Sequence, residues 1–229
     1  MTSTSTSTGA TRGSDGEDVR EADASLLAAL AGGGDGAEEA RAMARLHARL
    51  ADAARDAGVL DVAYRTLDSP VGSLLLAATE RGLVRIAFAV QDHDAVLQVL
   101  SDTVSARILR APGRLDESAR QLEEYFAGRR RRFELPLDHR LSREGFRRDV
   151  LTHLPEIGYG RTESYAEVAA AAGSPRAVRA VGTACAGNPL PLVVPCHRVV
   201  RSDGSPGQYA GGAQAKRLLL DLEAAAGRP

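Results

Sequence analysis

Cys196 is followed directly by His197 and Arg198, and the three residues close an apolar run punctuated by prolines, Asn188-Pro189-Leu190-Pro191-Leu192-Val193-Val194-Pro195. A thiol becomes a nucleophile when neighbouring cations or a positioned base shift it from a reference pKa of about 8.5 toward thiolate, and an imidazole and a guanidinium are groups of that kind. Pro191 and Pro195 restrict φ and remove backbone donors, so residues 192–194 read as a short, stiff, buried support rather than a central strand. From the Cys-His dipeptide alone, a buried structural cysteine is an equal reading. Cys185 and Cys196 are the only cysteines, eleven positions apart. Adjacent Cys and His side chains diverge, so a four-ligand zinc site lacks its spacing and no metal is expected.

The elements around this stretch have to position it. Upstream, Ser164-Tyr165-Ala166-Glu167 has the form of a capping box, its helix runs to Ala172, and Gly173 ends it. Ser174 then caps and Pro175 opens a second helix to about Ala186. Two short helices joined by Gly-Ser predict a helix-turn-helix, with the second helix facing DNA. Apart from Arg176 and Arg179 that helix carries small side chains, Ala177, Ala180, Gly182, Thr183 and Ala184. Such a surface lacks the long polar groups that read base edges in the major groove; it suits close, sequence-independent docking, as in the minor groove. Further upstream, Ser142 is expected to cap a helix with Phe146, Val150 and Leu154 on one stripe, closed by Pro155. Downstream, residues 199–201 and 208–210 flank a loop, residues 202–207, that reads as a wing or pocket rim. A final helix over 214–226 buries Leu218, Leu219, Leu220 and Leu222.

The first half is organised differently. Residues 1–18 are Thr, Ser, Gly and acidic residues and are expected to be disordered. Residues 21–31 and 37–57 read as helices on a glycine joint. Residues 62–66, 72–79 and 82–89 predict a strand meander with a tight turn at Glu80-Arg81, followed by helices over 94–104 and 116–126, a short strand at 107–110 and another at 133–137. The Arg129 to Arg132 run is a phosphate patch or, equally, a solvated charge run.

Charges nearly cancel over 229 residues, 29 basic against 30 acidic. From His139 onward there are 12 basic and 8 acidic residues, a net of +4, against 5 and 8 in residues 1–50, a net of −3. This tilt permits phosphate contacts in the C-terminal part. Lys216 is the one lysine, so arginines must carry them. Two cysteines, no secretory pattern and no long apolar stretch point to a cytoplasmic location with no membrane partner.

Pro195-Cys196-His197-Arg198-Val199 resembles the active-site signature of the O6-alkylguanine-DNA alkyltransferases, also called methylated-DNA-protein-cysteine methyltransferases. Tyr165, the run Arg179-Ala180-Val181-Gly182, Asn188-Pro189, Tyr209-Ala210-Gly211-Gly212 and Glu223 follow the family's order. The resemblance runs from about Val62 to Ala225. It implies an α/β, ribonuclease H-like domain over 61–138, an α-rich winged helix-turn-helix domain over 139–229 and an extension over 1–60. It further implies a monomer without cofactor, acting on double-stranded DNA that carries O6-alkylguanine. The alkyl group of O6-methylguanine, and of O4-methylthymine, passes irreversibly to Cys196. His197 removes the thiol proton through a water and Glu223 orients His197; by periodicity alone Glu223, four residues after Leu219, reads as surface. Tyr165 donates to the base, Tyr209 packs near O6, Ala210 offers its backbone N–H, and the carbonyls of Cys196 and Val199 accept from the guanine amino group. Asn188 ties the active-site turn to the helix-turn-helix, Arg179 fills the stack vacated by the rotated base, and Arg176 contacts phosphate. Cys185 falls outside the signature, and Leu218 stands where the family commonly has tryptophan.

Two other readings compete. A lesion sensor that recognises the same base without accepting its alkyl group is disfavoured by the presence of Cys196. A Cys-His hydrolase is disfavoured by the helix-turn-helix.

Overall fold

The structure, a computed structural model, describes residues 36–142 and 144–225, so the expectations for residues 1–31 lie outside the described residues. The stretch to Asp52 and the body from Ala53 onward are separate units. In the first, helix α1 (Gly36–Asp56) begins with Glu38 and Glu39 in its first turn, where acidic side chains favour a helix N-terminus.

The body begins with the expected meander. Strands β1 (Val62–Leu67), β2 (Leu74–Thr79) and β3 (Gly82–Phe88) pair antiparallel, and β4 (Ile108–Arg110) adds parallel to β1, giving the order β3-β2-β1-β4. Every residue of β2 is buried, as expected of a strand covered on both faces. Its period of two sorts the packing. Leu75 and Ala77 face Val96 and Leu100 of helix α2 (His93–Thr103), whereas Leu74 and Leu76 belong to a cluster with Leu115 and with Ala119, Leu122 and Tyr125 of helix α3 (Asp116–Phe126). Gly82 is required at the β2–β3 turn: its φ is +131°, and a Cβ there would lie 2.2 Å from the carbonyl oxygen of Pro136.

The expected strand over 133–137 is absent. The segment touches the edge of β3 at one bridge, Leu83 with Leu137, flanked by Leu83 N–H donating to Pro136 O at 2.9 Å and Asp138 N–H donating to Leu83 O at 2.8 Å. Pro136 has no N–H to continue a ladder. At Glu134 the Gln121 side-chain amide takes the place of a neighbouring strand, accepting from Glu134 N at 2.8 Å and donating to Glu134 O at 3.0 Å.

Four helices and a two-strand pair complete the body: α4 (Phe146–His153), β5 (Glu163–Ser164), α5 (Tyr165–Ala171), α6 (Val178–Ala186), β6 (Val199–Val200) and α7 (Gly212–Ala225). Strands β5 and β6 pair in parallel through Glu163 and Val199. Ser142 does not cap α4. It closes a 3-10 turn over His139–Leu141, and Gly145, at φ +76°, is the N-cap. The capping box at α5 forms as expected: Ser164 Oγ accepts from Glu167 N at 3.2 Å while Glu167 accepts from Ser164 N at 2.6 Å. Helix α6 starts later than predicted. Residues 174–177 make one isolated turn, closed by Ala177 N–H to Ser174 O at 2.9 Å, so Arg176 sits on the inter-helix turn rather than on α6. Helix α4 packs against α6 and α5 against α6, and the cluster that begins at β2 continues through Val150, Leu154, Val168, Val181 and Leu219. One hydrophobic core therefore serves both halves of the body. No helix among the described residues is long and apolar enough to cross a membrane.

Candidate active site

The support for the thiol is built as its prolines implied. Buried Asn188 holds the turn after α6 from within: its Oδ1 accepts from Leu190 N at 3.0 Å, and its Nδ2 donates to Val194 O at 2.8 Å and to Cys196 Sγ at 3.2 Å. Val194 N–H closes the loop on Leu190 O at 2.8 Å, and Ile86 of β3 donates to Pro189 O at 2.9 Å. Leu192, buried inside this turn, has φ +75°. A branched side chain in that region carries strain of about 1–3 kcal/mol, which the surrounding packing has to offset. The next three residues, Cys196–Arg198, form a single buried 3-10 turn.

Charge converges on Glu223 of α7. His197 Nε2 lies 2.9 Å from its Oε1, Arg198 reaches both oxygens at 2.9 Å, Gly160 N–H donates to Oε2 at 3.0 Å, and the Tyr125 hydroxyl donates to Oε1 at 2.8 Å. Arg198 also donates to Ile157 O at 2.6 Å. Glu223 is 1% exposed and His197 0%. Burial by itself would raise the carboxyl pKa, but the hydrogen bonds from His197 and Arg198 and the Arg198 charge prevail and hold it at about 2. The buried residue is therefore a carboxylate. A carboxylate only accepts, so Nε2 of His197 carries the ring proton and Nδ1 is left as a bare acceptor. Nδ1 is buried and has no protein partner. Burial pushes His197 below its usual pKa despite the Glu223 hydrogen bond, with Arg198 and Lys216 adding repulsion. The ring is neutral at pH 7 and available as a base.

Burial pushes the Cys196 thiol up to about 11, against the Asn188 hydrogen bond and the charge of Lys216, both of which favour thiolate. Lys216 is fully buried, and its ammonium donates to Val199 O at 2.5 Å. A cleft of about 420 Å³ is lined by Tyr165, Val178, Arg179, Gly182, Tyr209 and Ala210, among others, and Tyr209 connects its wall to the His197 ring.

Residues 62–139 match the family model for the 6-O-methylguanine DNA methyltransferase ribonuclease-like domain, and residues 145–225 match that for the DNA binding domain of the same proteins. A methylated-DNA–protein-cysteine methyltransferase of Methanosarcina barkeri is 40% identical over 162 residues, covering 70% of this chain and 96% of that protein. The chain belongs to the 6-O-methylguanine DNA methyltransferase family. The crystal structure of the Mycobacterium tuberculosis O6-methylguanine methyltransferase superposes with a TM-score of 0.64 at 37% identity, covering 73% of this chain and 95% of that one. The M. tuberculosis OGT in complex with DNA superposes at 0.62, also at 37% identity, over 72% and 94% of the two chains.

Within this methyltransferase fold, the residues expected to act together divide into two groups. Cys196, His197, Glu223 and Asn188 are all buried, with Asn188 hydrogen-bonded to Cys196 and His197 to Glu223. Tyr165, Tyr209, Ala210 and Arg179 line the cleft. The Tyr209 ring meets His197 edge-on at 6.3 Å and Phe88 at 5.4 Å, and its hydroxyl is buried with no protein partner. The Tyr165 hydroxyl abuts Gly207 so closely that a Cβ there would lie 2.2 Å from it. Val199 O, expected to receive a base amino group, already accepts from Lys216, which leaves one of its two lone pairs. Arg176 and Arg179 are exposed and make no ion pair among the described residues. The Arg129 to Arg132 run is partly structural: Arg130 pairs with Glu124 at 2.8 Å, and Arg131 lies over the Tyr159 ring.

Sequence reasoning reached Glu223 only through the family resemblance, since by periodicity it read as surface; among the described residues it is the most buried carboxylate. Tyr125 and Lys216 were given no place in the site. Tyr125 lies 98 residues before its partner Glu223, and the isolation of Lys216 as the one lysine in an arginine-rich chain was the available signal.

Proposed function

We infer that this protein repairs DNA by direct reversal, moving the methyl group of O6-methylguanine in double-stranded DNA irreversibly to its own Cys196. The observation that carries the reading is the buried thiol next to a neutral histidine whose Nε2 is committed to a carboxylate and whose Nδ1 is an unpaired acceptor. His197 Nδ1 takes the Cys196 proton through a water. The thiolate then attacks the methyl carbon in line: the S–C bond forms, the C–O bond breaks, and the electron pair leaves with O6 of guanine. Tyr165 gives its proton to the departing base and is reprotonated, through water, by the proton that His197 took from the thiol, so His197 and Tyr165 both end neutral. The thioether product does not hydrolyse, and each molecule acts once.

The base has to leave the duplex to reach the cleft, at an expense of a few kcal/mol. Arg179 fills the vacated stack and Arg176 holds phosphate. Tyr209 and the Ala210 N–H contact the base near O6, and the Val199 carbonyl accepts from its amino group. The domains divide as an extension over 1–60, a ribonuclease H-like unit over 61–138 and a DNA-binding transfer unit over 139–229. O4-methylthymine enters the same cleft, and the protein acts as a monomer.

Intact-protein mass spectrometry after incubation with an O6-methylguanine duplex tests the reading. One methyl per chain, mapped to Cys196 and lost in Cys196→Ala, is the expected result. An unmodified protein that still shifts the duplex would make it a lesion sensor, and multiple turnover would make it a hydrolase-type enzyme.

A further inference from the structure

Of the residues that hydrogen-bond to Glu223, three, His197, Arg198 and Gly160, come from the C-terminal half of the body and one does not. Tyr125 lies on α3, in the stretch matched by the ribonuclease-like model, and is fully buried. Its ring is held edge-on by Phe126 and Tyr159, at 5.4 and 6.0 Å, and by the tilted ring of Phe133 at 5.4 Å. The hydroxyl is thereby aimed at one atom, Oε1 of Glu223 at 2.8 Å, and lies 3.4 Å from His197 Nε2. Burial and the Glu223 charge push the Tyr125 pKa far up, so the hydroxyl remains a donor.

Oε1 is the oxygen that orients His197. It receives His197, Arg198 and Tyr125, and only Arg198 also holds Oε2. A carboxylate oxygen that accepts a further hydrogen bond shares its charge with that donor and pulls less strongly on the imidazole proton. It is also fixed against rotation.

We propose that Tyr125 is a positioning residue for the transfer: from the ribonuclease-like half of the body, its hydroxyl holds Glu223 Oε1 against His197 and limits how strongly Glu223 attracts the imidazole proton. The inference rests on the proposed proton path from Cys196 to His197. It gives the N-terminal half a part in the chemistry beside its part in the core.

Tyr125→Phe keeps the ring and deletes the donor. Single-turnover transfer from an O6-methylguanine duplex, measured across pH in the full chain, is expected to slow about tenfold on the plateau, the worth of one buried hydrogen bond. The acid limb should move to higher pH, because an Oε1 relieved of Tyr125 binds the His197 proton more tightly. Phe133→Leu loosens the same aromatic cluster without touching Glu223, and should lower thermal stability while keeping the parent pH profile. Iodoacetamide alkylation of Cys196 gives the same profile without DNA, so a failure of methyl transfer in the parent protein is separable from a failure of this proposal. A Tyr125→Phe profile that superimposes on that of the parent, or on that of Phe133→Leu, overturns it.

Discussion

Replacing Asn188 by Ala separates the support of the thiol from its chemistry. The side chain makes three buried contacts: to Leu190 N at 3.0 Å, to Val194 O at 2.8 Å and to Cys196 Sγ at 3.2 Å. The first two are backbone groups that no other residue satisfies in the same way. Each hydrogen bond contributes about 1 kcal/mol net, and each group left unpaired in the interior costs about 1–3 kcal/mol. The expected loss is about 3–4 kcal/mol out of the 5–15 typical of a domain, so the variant folds with a reduced denaturation midpoint. The strained φ of Leu192 is held by this same turn, which places the loss at the high end.

The third contact concerns reactivity. The amide donor favours thiolate against the burial that pushes Cys196 up to about 11. A hydrogen bond to a charged group is worth about 1.5–3 kcal/mol, and about 1.4 kcal/mol corresponds to a tenfold change, so alkylation of Cys196 by iodoacetamide at fixed pH should slow about 10- to 100-fold. Peptide mapping distinguishes Cys196 from Cys185, and urea titration establishes that the variant is folded under the assay conditions. Asn188→Asp sharpens the test. It keeps the acceptor for Leu190 N but sets a negative charge against the sulfur, so it should react more slowly still. A folded Asn188→Ala protein whose Cys196 reacts as fast as the parent's between about pH 7 and 10 would refute the assignment.

Two other perturbations bear on the same site. Arg179→Ala should slow transfer from duplex DNA about 10- to 100-fold while leaving transfer from the free O6-methylguanine base unchanged, since rotating the base out costs a few kcal/mol only in the duplex; equal losses on both substrates would remove Arg179 from the vacated stack. Glu223, held at about 2 against an ordinary 4.5, contributes stability that is complete above about pH 4.5 and is lost as pH falls toward 2, an effect of about 3 kcal/mol. In Glu223→Gln this acid dependence should disappear from the urea midpoints, and its persistence would place the proton uptake elsewhere.

The parts of this fold that were legible in the sequence are those set by neighbours in the chain. The meander follows from three strand-like runs and a glycine-bearing turn, the α5 cap from Ser164 and Glu167 three residues apart, and the stiff thiol support from prolines flanking a buried run. The misread boundaries have competing local solutions. Ser142 and Gly145 could both begin α4, and the positive φ available to Gly145 decided it. Ser174-Pro175 looked like a helix start, yet the turn it makes stops after one hydrogen bond and α6 begins at Val178. Residues 133–137 have strand composition, but Pro136 and the Gln121 amide remove the ladder. Glu223 and Tyr125 were illegible for another reason. Their roles arise from a contact between residues 98 apart, and an acidic residue or a tyrosine on an amphipathic helix has the same sequence pattern whether it faces solvent or a buried histidine.

The raised pKa of Cys196 fits a protein that can react only once. Burial raises the Cys196 pKa, so the resting thiol is largely protonated at pH 7. The groups that oppose this rise are already in place, Asn188 at the sulfur and Lys216 as a buried cation, and His197 keeps an unpaired Nδ1 among the described residues. The thiol needs only a path for its proton when an alkylated base fills the cleft. Reactivity is therefore a property of the loaded site, and substitutions in the Glu223 network should change the rate of transfer far more than the affinity for DNA, because Arg176 and Arg179, proposed above to meet the duplex, are exposed and make no hydrogen bond to that network.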